Sequence, residues 1–307
     1  MTDEPDLLPS WRPGATRDAV IEFLDAATLL PVGDRVAVFD NDGTLCCEQP
    51  APVQFEFFVR TLADAAQTDP TLRGRPEFAA VLDGDHAAMA ELGLERIALA
   101  VLELFAGLTP AEFDHAARSF FAEGRHRTLG TPLRDLVYQP MLELLDELRR
   151  REFTLCIVSG SGTEFVRAIS QDFYGVAPEA VVGTLIAYEF DRDARGQALL
   201  RRTATLGSAA NEGPAKVNHI QSHLGRQPIL GAGNSAGDRE MLEWACAGAG
   251  PRLALLLDHD DSAREFQYVS TAATFVDDEP ILDIGARLGW TVVSMANDWA
   301  TVFPNRT

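Results

Sequence analysis

Hydrophobic and polar positions along the chain divide it into strand and helix segments on either side of a long helical block. A short apolar run at 36–39 predicts a buried strand, and it ends abruptly in a polar turn. From residue 141 onward, predicted helices and strands alternate, as is typical of a parallel sheet covered by helices on both faces. The predicted elements there are helices at 141–151, 163–174, from 214 and after 238, strands at 153–158, near 181, 228–232, 252–257 and 290–293, and a hairpin at 186–203.

The helical block between these parts, residues 49–135, is rich in Ala, Leu and Phe and contains almost no strand pattern. It interrupts the chain directly after the first strand, so we interpret it as a small helical cap inserted into the sheet domain. The predicted fold class is therefore α/β, with a Rossmann-like parallel sheet core and an inserted helical cap. The core comprises 1–48 and 136–307, and apolar residues recur with helical spacing in the cap at 54–66, 91–105 and 110–121.

Composition excludes several classes of protein. The 307 residues carry 46 acids against 26 bases, a net charge of −20, and no Lys/Arg-rich run that would bind nucleic acid. No apolar stretch approaches the roughly 20 residues of a membrane span, and the acidic start lacks the features of a signal peptide. Four cysteines without CxxC spacing indicate reduced thiols. We expect a cytoplasmic protein with no nucleic-acid or membrane partner, and the oligomeric state has no signature in the sequence.

The first strand ends in Asp40-Asn41-Asp42-Gly43-Thr44. Two carboxylates two residues apart can place one acid on a metal and the other beside a reacting atom. Asp40 would be a nucleophile that forms an aspartyl-phosphate, and Asp42 would protonate the leaving oxygen and later deprotonate water. The simpler alternative is an Asx-turn that closes the connection between a strand and the next element.

The second core strand ends in Ser159-Gly160-Ser161-Gly162, just before a predicted helix. A hydroxyl group and free backbone N–H groups at this place form a suitable phosphate cradle, although a plain helix cap from Ser161 or Thr163 explains the same pattern.

Lys216 is the only lysine in the chain, against 25 arginines, and it begins a predicted helix. Its ammonium could neutralise phosphate oxygens and keep neighbouring carboxylates ionised, whereas most lysines are solvated surface residues. A chain that otherwise uses arginine has a reason to retain lysine where a planar guanidinium cannot fit.

A fourth group of polar residues follows the strand at 228–232. Asn234 and Asp238 lie four residues apart across a glycine-rich turn, and oxygen ligands of this kind suit Mg²⁺. An ordinary N-cap is the alternative for Asp238.

These four motifs, in this order, resemble those of the haloacid dehalogenase superfamily, in particular its phosphatase branch with a helical cap, the phosphoserine-phosphatase-like group. The resemblance covers roughly 34–48 and 138–290; the cap matches in position and helical character only. The superfamily more often has an acid where Asn234 stands. An amide oxygen can still bind Mg²⁺, but without charge, and either Asn234 or Asp238 could be the direct ligand.

The resemblance implies a Mg²⁺-dependent phosphatase that hydrolyses a small phosphate monoester by in-line phosphoryl transfer to Asp40. The metal site would use the Asp40 side chain, the Asp42 backbone carbonyl, and Asn234 or Asp238. The phosphate-binding residues would be Thr44, Ser159, Gly160 and Lys216. Because the dehalogenases of the superfamily lack the second acid, Asp42 argues against halide displacement.

The resemblance also suggests residues that could contact the substrate. Glu48 lies close to the position of a cap-facing glutamate in phosphoserine phosphatases, although its offset from Asp40 is one residue short, and an exposed hinge carboxylate is an equal alternative. Arg125 and Arg127, on either side of His126, are the best candidates for an anion contact from the cap, or else a solvated charge cluster. His259 could reach the site, or could belong to a loop that caps the next helix.

Two other functions stay open from the sequence. A phosphotransferase would use the same aspartyl-phosphate and pass the phosphoryl group to an alcohol. A non-catalytic Mg²⁺-dependent phospho-acceptor or binding module would need neither Asp42 nor a large cap. The substrate is a small phosphorylated metabolite in either enzymatic reading, since the acidic surface disfavours polyanions.

Overall fold

A computed structural model of the chain describes residues 7–272, 274–275 and 279–304. Most of its strands form one sheet, and two others form a separate antiparallel hairpin. The strands are β1 (Val36–Phe39), β2 (Thr154–Gly162), β3 (Val181–Thr184), β4 (Ile186–Arg192), β5 (Ala198–Leu206), β6 (Leu230–Gly233), β7 (Leu253–Asp258) and β8 (Thr291–Ser294), of which β4 and β5 are the hairpin.

The sheet has six strands in the order β3-β2-β1-β6-β7-β8, and every neighbouring pair is parallel. The predicted α/β fold with a parallel sheet is therefore confirmed. From β1 the chain adds strands on one side and then, from β6, on the other, so the strand order reverses between β1 and β6. The carboxyl ends of β1, β2 and β6 consequently share one edge, where ligands bind in open α/β sheets.

Helices cover both faces of this sheet. Successive residues of β1 point to opposite faces, and both sets are packed in apolar clusters. Ala37 and Phe39 belong to one apolar cluster, whereas Val38 belongs to another that includes Ile220 and Met241. All four residues of β1 are inaccessible to solvent, as expected for a central parallel strand. The core helices are α1 (Ala15–Ala27), α7 (Gln139–Arg150), α8 (Thr163–Tyr174), α9 (Pro214–Leu224), α10 (Arg239–Cys246), α11 (Ile281–Leu288) and α12 (Met295–Asp298).

The block at 49–135 contains α-helices and short 3-10 turns, as its apolar spacing predicts. Phenylalanines join it to the core: the Phe57 ring lies 5.3 Å from that of Phe165 on α8, and the Phe121 ring lies 4.9 Å from the same ring. That this block, which we call the cap, moves as a separate unit stays a prediction. Its helices are α2 (Val53–Thr68), α3 (Pro76–Asp83), α4 (His86–Leu92), α5 (Leu94–Leu102) and α6 (Pro110–Glu123).

Two details differ from the predicted elements. The helical pattern at 91–105 is not one helix, because Gly93 has a φ of +84° and separates α4 from α5. The strand predicted at 153–158 continues to Gly162, so the phosphate-cradle sequence is extended backbone rather than a helix cap. Its pairing with β3 becomes irregular between Val158 and Gly162, which frees backbone groups at the sheet edge.

Two further features concern the cysteines and the lengths of the helices. Cys46, Cys47, Cys156 and Cys246 are all free thiols, and the first three are buried. Within the described ranges, no helix combines the length and apolar character that a bilayer crossing requires.

We predict that Phe165→Ala lowers the free energy of unfolding by about 3 kcal/mol, because it leaves a cavity where the cap meets the core. Phe190→Ala is the control: Phe190 is 65% exposed on the hairpin, and its loss should cost less than about 1 kcal/mol. Urea unfolding followed by circular dichroism measures both, and equal effects would show that the aromatic contact does not stabilise the fold.

Candidate active site

Asp40 directly follows β1 and continues its hydrogen-bond pattern, since its N–H donates to the Ala232 carbonyl on β6 at 2.9 Å. The side chain therefore lies at the carboxyl edge of the sheet, and only 6% of the residue is exposed. Burial, and next the charge of Asp238, raise the pKa of Asp40 well above its usual value, while Lys216 lowers it. The ionised form of this carboxyl group depends on nearby positive charge.

Lys216 supplies that charge from the first turn of α9. Its Nζ donates to Asp40 Oδ1 at 2.7 Å, to Asp238 Oδ1 at 2.6 Å and to the Val158 carbonyl at 2.8 Å. Burial disfavours the ammonium, but Asp238 and Asp40 outweigh it and raise the pKa of Lys216 above its usual value. Three N–H donors thus meet three acceptors, so a solvated surface lysine is not what the structure shows.

Asp42 lies beside two hydroxyl groups at the end of β2. Its Oδ2 accepts from Ser161 Oγ at 2.8 Å and from Ser159 Oγ at 3.4 Å. Burial raises the pKa of Asp42, and the hydrogen bond from Ser161 partly opposes the shift. A carboxyl group with a raised pKa retains its proton more readily, which is what a general acid requires.

Ser159 and Gly160 lie in the last part of β2, the segment that the sequence predicts as a phosphate cradle. The Ser159 hydroxyl accepts from the Ser161 N–H at 3.0 Å, and its backbone carbonyl accepts from Asn211 Nδ2 at 2.9 Å. The Gly160 carbonyl accepts from Thr184 Oγ1 at 2.7 Å. The Ser159 hydroxyl is fully buried, so it is held in place without solvent contact.

Asn234 follows β6 and is oriented by a polar cluster. Its Oδ1 accepts from Thr44 Oγ1 at 3.3 Å, and its Nδ2 donates to Glu48 Oε1 at 2.9 Å and to Ser270 Oγ at 2.8 Å. Gly43, with a φ of +78°, makes this possible, since a Cβ there would lie 1.9 Å from Asn234 Nδ2. Thr44, which the resemblance assigns to phosphate binding, thus donates to Asn234, and its contact with a phosphate stays a prediction.

Both carboxylate oxygens of Asp238 have partners. Oδ1 accepts from Lys216, while Oδ2 accepts from the N–H groups of Asn234 and Ser235 at 3.0 Å and from Ser235 Oγ at 3.2 Å. Asp238 precedes α10 but does not cap it with its side chain. Its carboxylate instead stabilises the loop after β6 and balances the positive charge of the Lys216 ammonium.

The candidate substrate residues of the cap lie elsewhere. Arg125 is exposed and donates to the Gly130 carbonyl at 2.9 Å, and Arg127 is also exposed. Between them His126 is buried, with Nε2 2.5 Å from the Gln49 carbonyl at the start of the cap. None of the hydrogen bonds or ion pairs of the described residues joins these arginines to Asp40, Asp42, Ser159 or Lys216, and their role in substrate binding stays a prediction.

Glu48 points inward rather than toward an open cleft. The side chain is partly buried, and its Oε1 accepts from Asn234 Nδ2 and from Ser270 Oγ, the latter at 3.0 Å. Burial is the main reason that the pKa of Glu48 rises to about 7. A substrate contact by this residue stays a prediction as well.

Four polar residues of the site form contacts that the sequence does not predict: Ser161, which bonds to Asp42; Asn211, which holds Ser159; Ser270, which bonds to Asn234; and Gln54. The Gln54 Oε1 on α2 accepts from the Gly162 N–H at 2.8 Å, so it joins the cap to the phosphate-cradle segment. Two of the four had a local signal: Ser161 lies in the predicted phosphate-cradle segment, and Asn211 precedes the glycine and proline that begin the Lys216 helix.

A divalent cation fits the charges at this edge of the sheet. Three carboxylates, of Asp40, Asp42 and Asp238, surround a single ammonium. Among the described residues no donor contacts Asp40 Oδ2, and no group of three His, Cys, Asp or Glu side chains could hold a metal. That a cation binds an Asp40 oxygen, the Asp42 carbonyl and the Asn234 amide oxygen stays a prediction, and such a mixed oxygen set suits Mg²⁺.

Comparison with known proteins identifies the family of the chain. The family model of haloacid dehalogenase-like hydrolases matches residues 37–243, a span that includes all four motifs. The chain belongs to the haloacid dehalogenase-like hydrolase family. No curated protein sequence matches it significantly.

Two solved structures share the fold of this haloacid dehalogenase-like hydrolase. A functionally unknown protein from Anaerococcus prevotii DSM 20548 has a TM-score of 0.56 at 14% identity, covering 89% of this chain and 90% of the other. A protein of unknown function from Bordetella pertussis Tohama I has a TM-score of 0.51 at 16% identity, covering 84% and 97%. A phosphoserine phosphohydrolase-like protein from Francisella tularensis subsp. tularensis SCHU S4 has a TM-score of 0.40 at 14% identity, covering 83% and 99%.

We predict that Gly43→Ala destabilises the protein by about 2 kcal/mol more than Gly196→Ala does, because only the first places a Cβ against Asn234. Both glycines have similar positive φ values, +78° and +77°, but nothing lies within 4 Å of a Cβ at Gly196. The control should cost about 1 kcal/mol from backbone strain alone. Urea unfolding measures both, and equal losses would contradict the close packing at Gly43.

Proposed function

We propose that this hydrolase is a Mg²⁺-dependent phosphatase that cleaves a small-molecule phosphate monoester through an aspartyl-phosphate on Asp40. The observation that supports it most directly is the pair of Asp40 oxygens. Lys216 bonds to Oδ1, and among the described residues nothing donates to Oδ2, so one oxygen is held while the other can attack. Lys216 at the same time favours the ionised carboxylate, against the effects of burial and of Asp238, which raise its pKa.

In the first step an Asp40 oxygen forms a bond to phosphorus while the bond from phosphorus to the ester oxygen breaks. The leaving oxygen takes a proton from Asp42, whose burial raises its pKa. Ser159 and Lys216 lie buried at the same edge of the sheet, where a hydroxyl group and a positive charge would stabilise the charge that develops on the phosphoryl oxygens.

In the second step water attacks the phosphorus of the aspartyl-phosphate, and the bond to the Asp40 oxygen breaks to release inorganic phosphate. Asp42, now ionised, takes the proton from this water. Ser161 holds Asp42 in position through its 2.8 Å hydrogen bond, so the same carboxyl group serves both steps.

When bound, Mg²⁺ would neutralise charge on the phosphoryl group as a Lewis acid. Asp40, the Asp42 carbonyl and Asn234 are the residues proposed to hold it. We favour Asn234 over Asp238 as a direct ligand, since Lys216 and the loop after β6 already occupy both Asp238 oxygens.

The proposed reaction includes an opening of the cap that admits the substrate. The cavity beside Asp42 measures only about 10 Å³, close to the space of one water molecule, and its walls include Phe121 from the cap and Phe165 from the core. Opening would separate these rings, and closure would exclude water from the aspartyl-phosphate. The net charge of −20 supports small phosphorylated metabolites rather than polyanions as substrates.

We predict that Asp40→Asn abolishes phosphate release, by about 10⁴-fold or more, because the nucleophile is lost. The measurement is inorganic phosphate release from a panel of phosphorylated metabolites with Mg²⁺, with EDTA as the metal-free arm and a competing alcohol to detect transfer. Asp34→Asn, at an exposed carboxylate ahead of β1, is the matched control and should retain full activity. Full activity in Asp40→Asn would refute the mechanism, and transfer to the alcohol would favour a phosphotransferase.

We also predict that Lys216→Arg lowers kcat by about 10²-fold or more, although the charge is kept. A planar guanidinium cannot point three donors at Asp40, Asp238 and the Val158 carbonyl from one nitrogen atom. Melting temperatures identify any loss of folding, and Lys216→Met tests removal of the charge itself. An active Lys216→Arg variant would show that charge alone is sufficient.

A further inference from the structure

Asn234 poses a problem of orientation that an acid at the same position would not. The two oxygens of a carboxylate are equivalent, so either can bind a cation. An amide has one oxygen and one NH₂ group, and only the oxygen is a metal ligand. An Asn in a metal site therefore has to be held with its oxygen on the correct side.

The surroundings of Asn234 distinguish its two ends. Three acceptors surround Nδ2: Glu48 Oε1 at 2.9 Å, Ser270 Oγ at 2.8 Å and His259 Nε2 at 3.4 Å. The opposite end, Oδ1, receives one hydrogen bond, from Thr44 Oγ1 at 3.3 Å. Asn234, Ser270 and His259 are each at least 92% buried, so solvent does not replace these partners.

We infer that Glu48, with Ser270 and His259, acts as a positioning residue that fixes the Asn234 amide so that Oδ1 is the end available to Mg²⁺. This inference rests on the proposed function, and it gives Glu48 a role different from substrate contact. A rotated amide would place its oxygen against the Glu48 carboxyl oxygen, and the NH₂ group would then face the cation. The observed orientation avoids both repulsions.

His259 supports the same orientation from the other side. Its Nδ1 lies 3.5 Å from Glu265 Oε2, and the Tyr268 ring stacks on it with centroids 4.3 Å apart. The neutral tautomer with its proton on Nδ1, the side of Glu265, would leave Nε2 as an acceptor for Asn234. Ser270 adds to the arrangement, since it accepts from Asn234 and donates to Glu48 at 3.0 Å.

The experiment measures Mg²⁺ binding by isothermal titration calorimetry, with no substrate present. Glu48→Ala removes the main acceptor and should weaken Mg²⁺ binding by about 10-fold or more, the usual loss when a residue that orients a metal ligand is removed. Glu48→Gln still offers an amide oxygen to Asn234 and should recover most of the affinity. Glu123→Ala, on the exposed surface of the cap, is the control and should bind as the wild type does.

The decisive comparison repeats Glu48→Ala in the Asn234→Asp background. There the two ends of the side chain are equivalent, so the loss of Glu48 should not weaken Mg²⁺ binding, and it should relieve repulsion between two carboxylates. A purely structural role for Glu48 would instead weaken binding equally in both backgrounds. Equal losses would overturn the inference.

The remaining outcomes are distinct from one another. A wild-type protein that binds Mg²⁺ with an affinity unchanged by Glu48→Ala overturns this inference and leaves the proposed function intact. A wild-type protein that binds no Mg²⁺ overturns both. If melting in EDTA shows that Glu48→Ala is unfolded, Ser270→Ala provides the same test, with a smaller expected loss of affinity that Asn234→Asp again removes.

Discussion

The buried ammonium of Lys216 is the interaction on which the rest of the site depends. A buried charge is tolerated only when it is paired and fully hydrogen-bonded, and here three acceptors within 2.8 Å meet that condition. The acceptors belong to the segments at the ends of β1, β2 and β6, which are neighbours in the sheet. The ammonium is satisfied only when these ends are aligned, and the same alignment places Asp42 beside the hydroxyls of β2. Fold and site therefore share one constraint at this edge.

The parts of the site that could be predicted are those with local signals. Asp40, Asp42 and Asn234 follow short buried strands, and the carboxyl ends of neighbouring parallel strands meet at one edge whatever their separation in the chain. Lys216 was recognisable because lysine is otherwise absent. The contacts of Ser161 and Ser270 could not be predicted, because they join residues 119 and 36 positions apart and depend on side-chain directions that no periodicity records.

In the cap, too, the sequence pattern predicted the helices but not where their ends and side chains lie. Helical spacing predicted helices there, but it did not distinguish one helix at 91–105 from two, since the break depends on the backbone conformation of Gly93. Charge marked Arg125 and Arg127 as anion contacts, yet charge carries no information on direction, and Arg125 bonds to the carbonyl of its own loop. Gln54 is a polar residue by which the cap reaches the site, through the Gly162 N–H. It is uncharged and lies on a helix whose sequence pattern is mainly apolar, so neither charge nor spacing indicated this contact.

The amide at Asn234 changes the electrostatics of the whole edge. Asp40, Asp42 and Asp238 already repel one another around one ammonium, and burial raises the pKa of Asp40 and Asp42. A fourth carboxylate would raise this repulsion in the absence of a cation. An amide avoids that cost, but it would attract the proposed cation less and would bind it through one end only. The proposed site would therefore attract a cation less strongly, and the orientation of the amide would decide whether it binds. That orientation has to be fixed by the groups that contact the amide nitrogen, which are Ser270, His259 and Glu48.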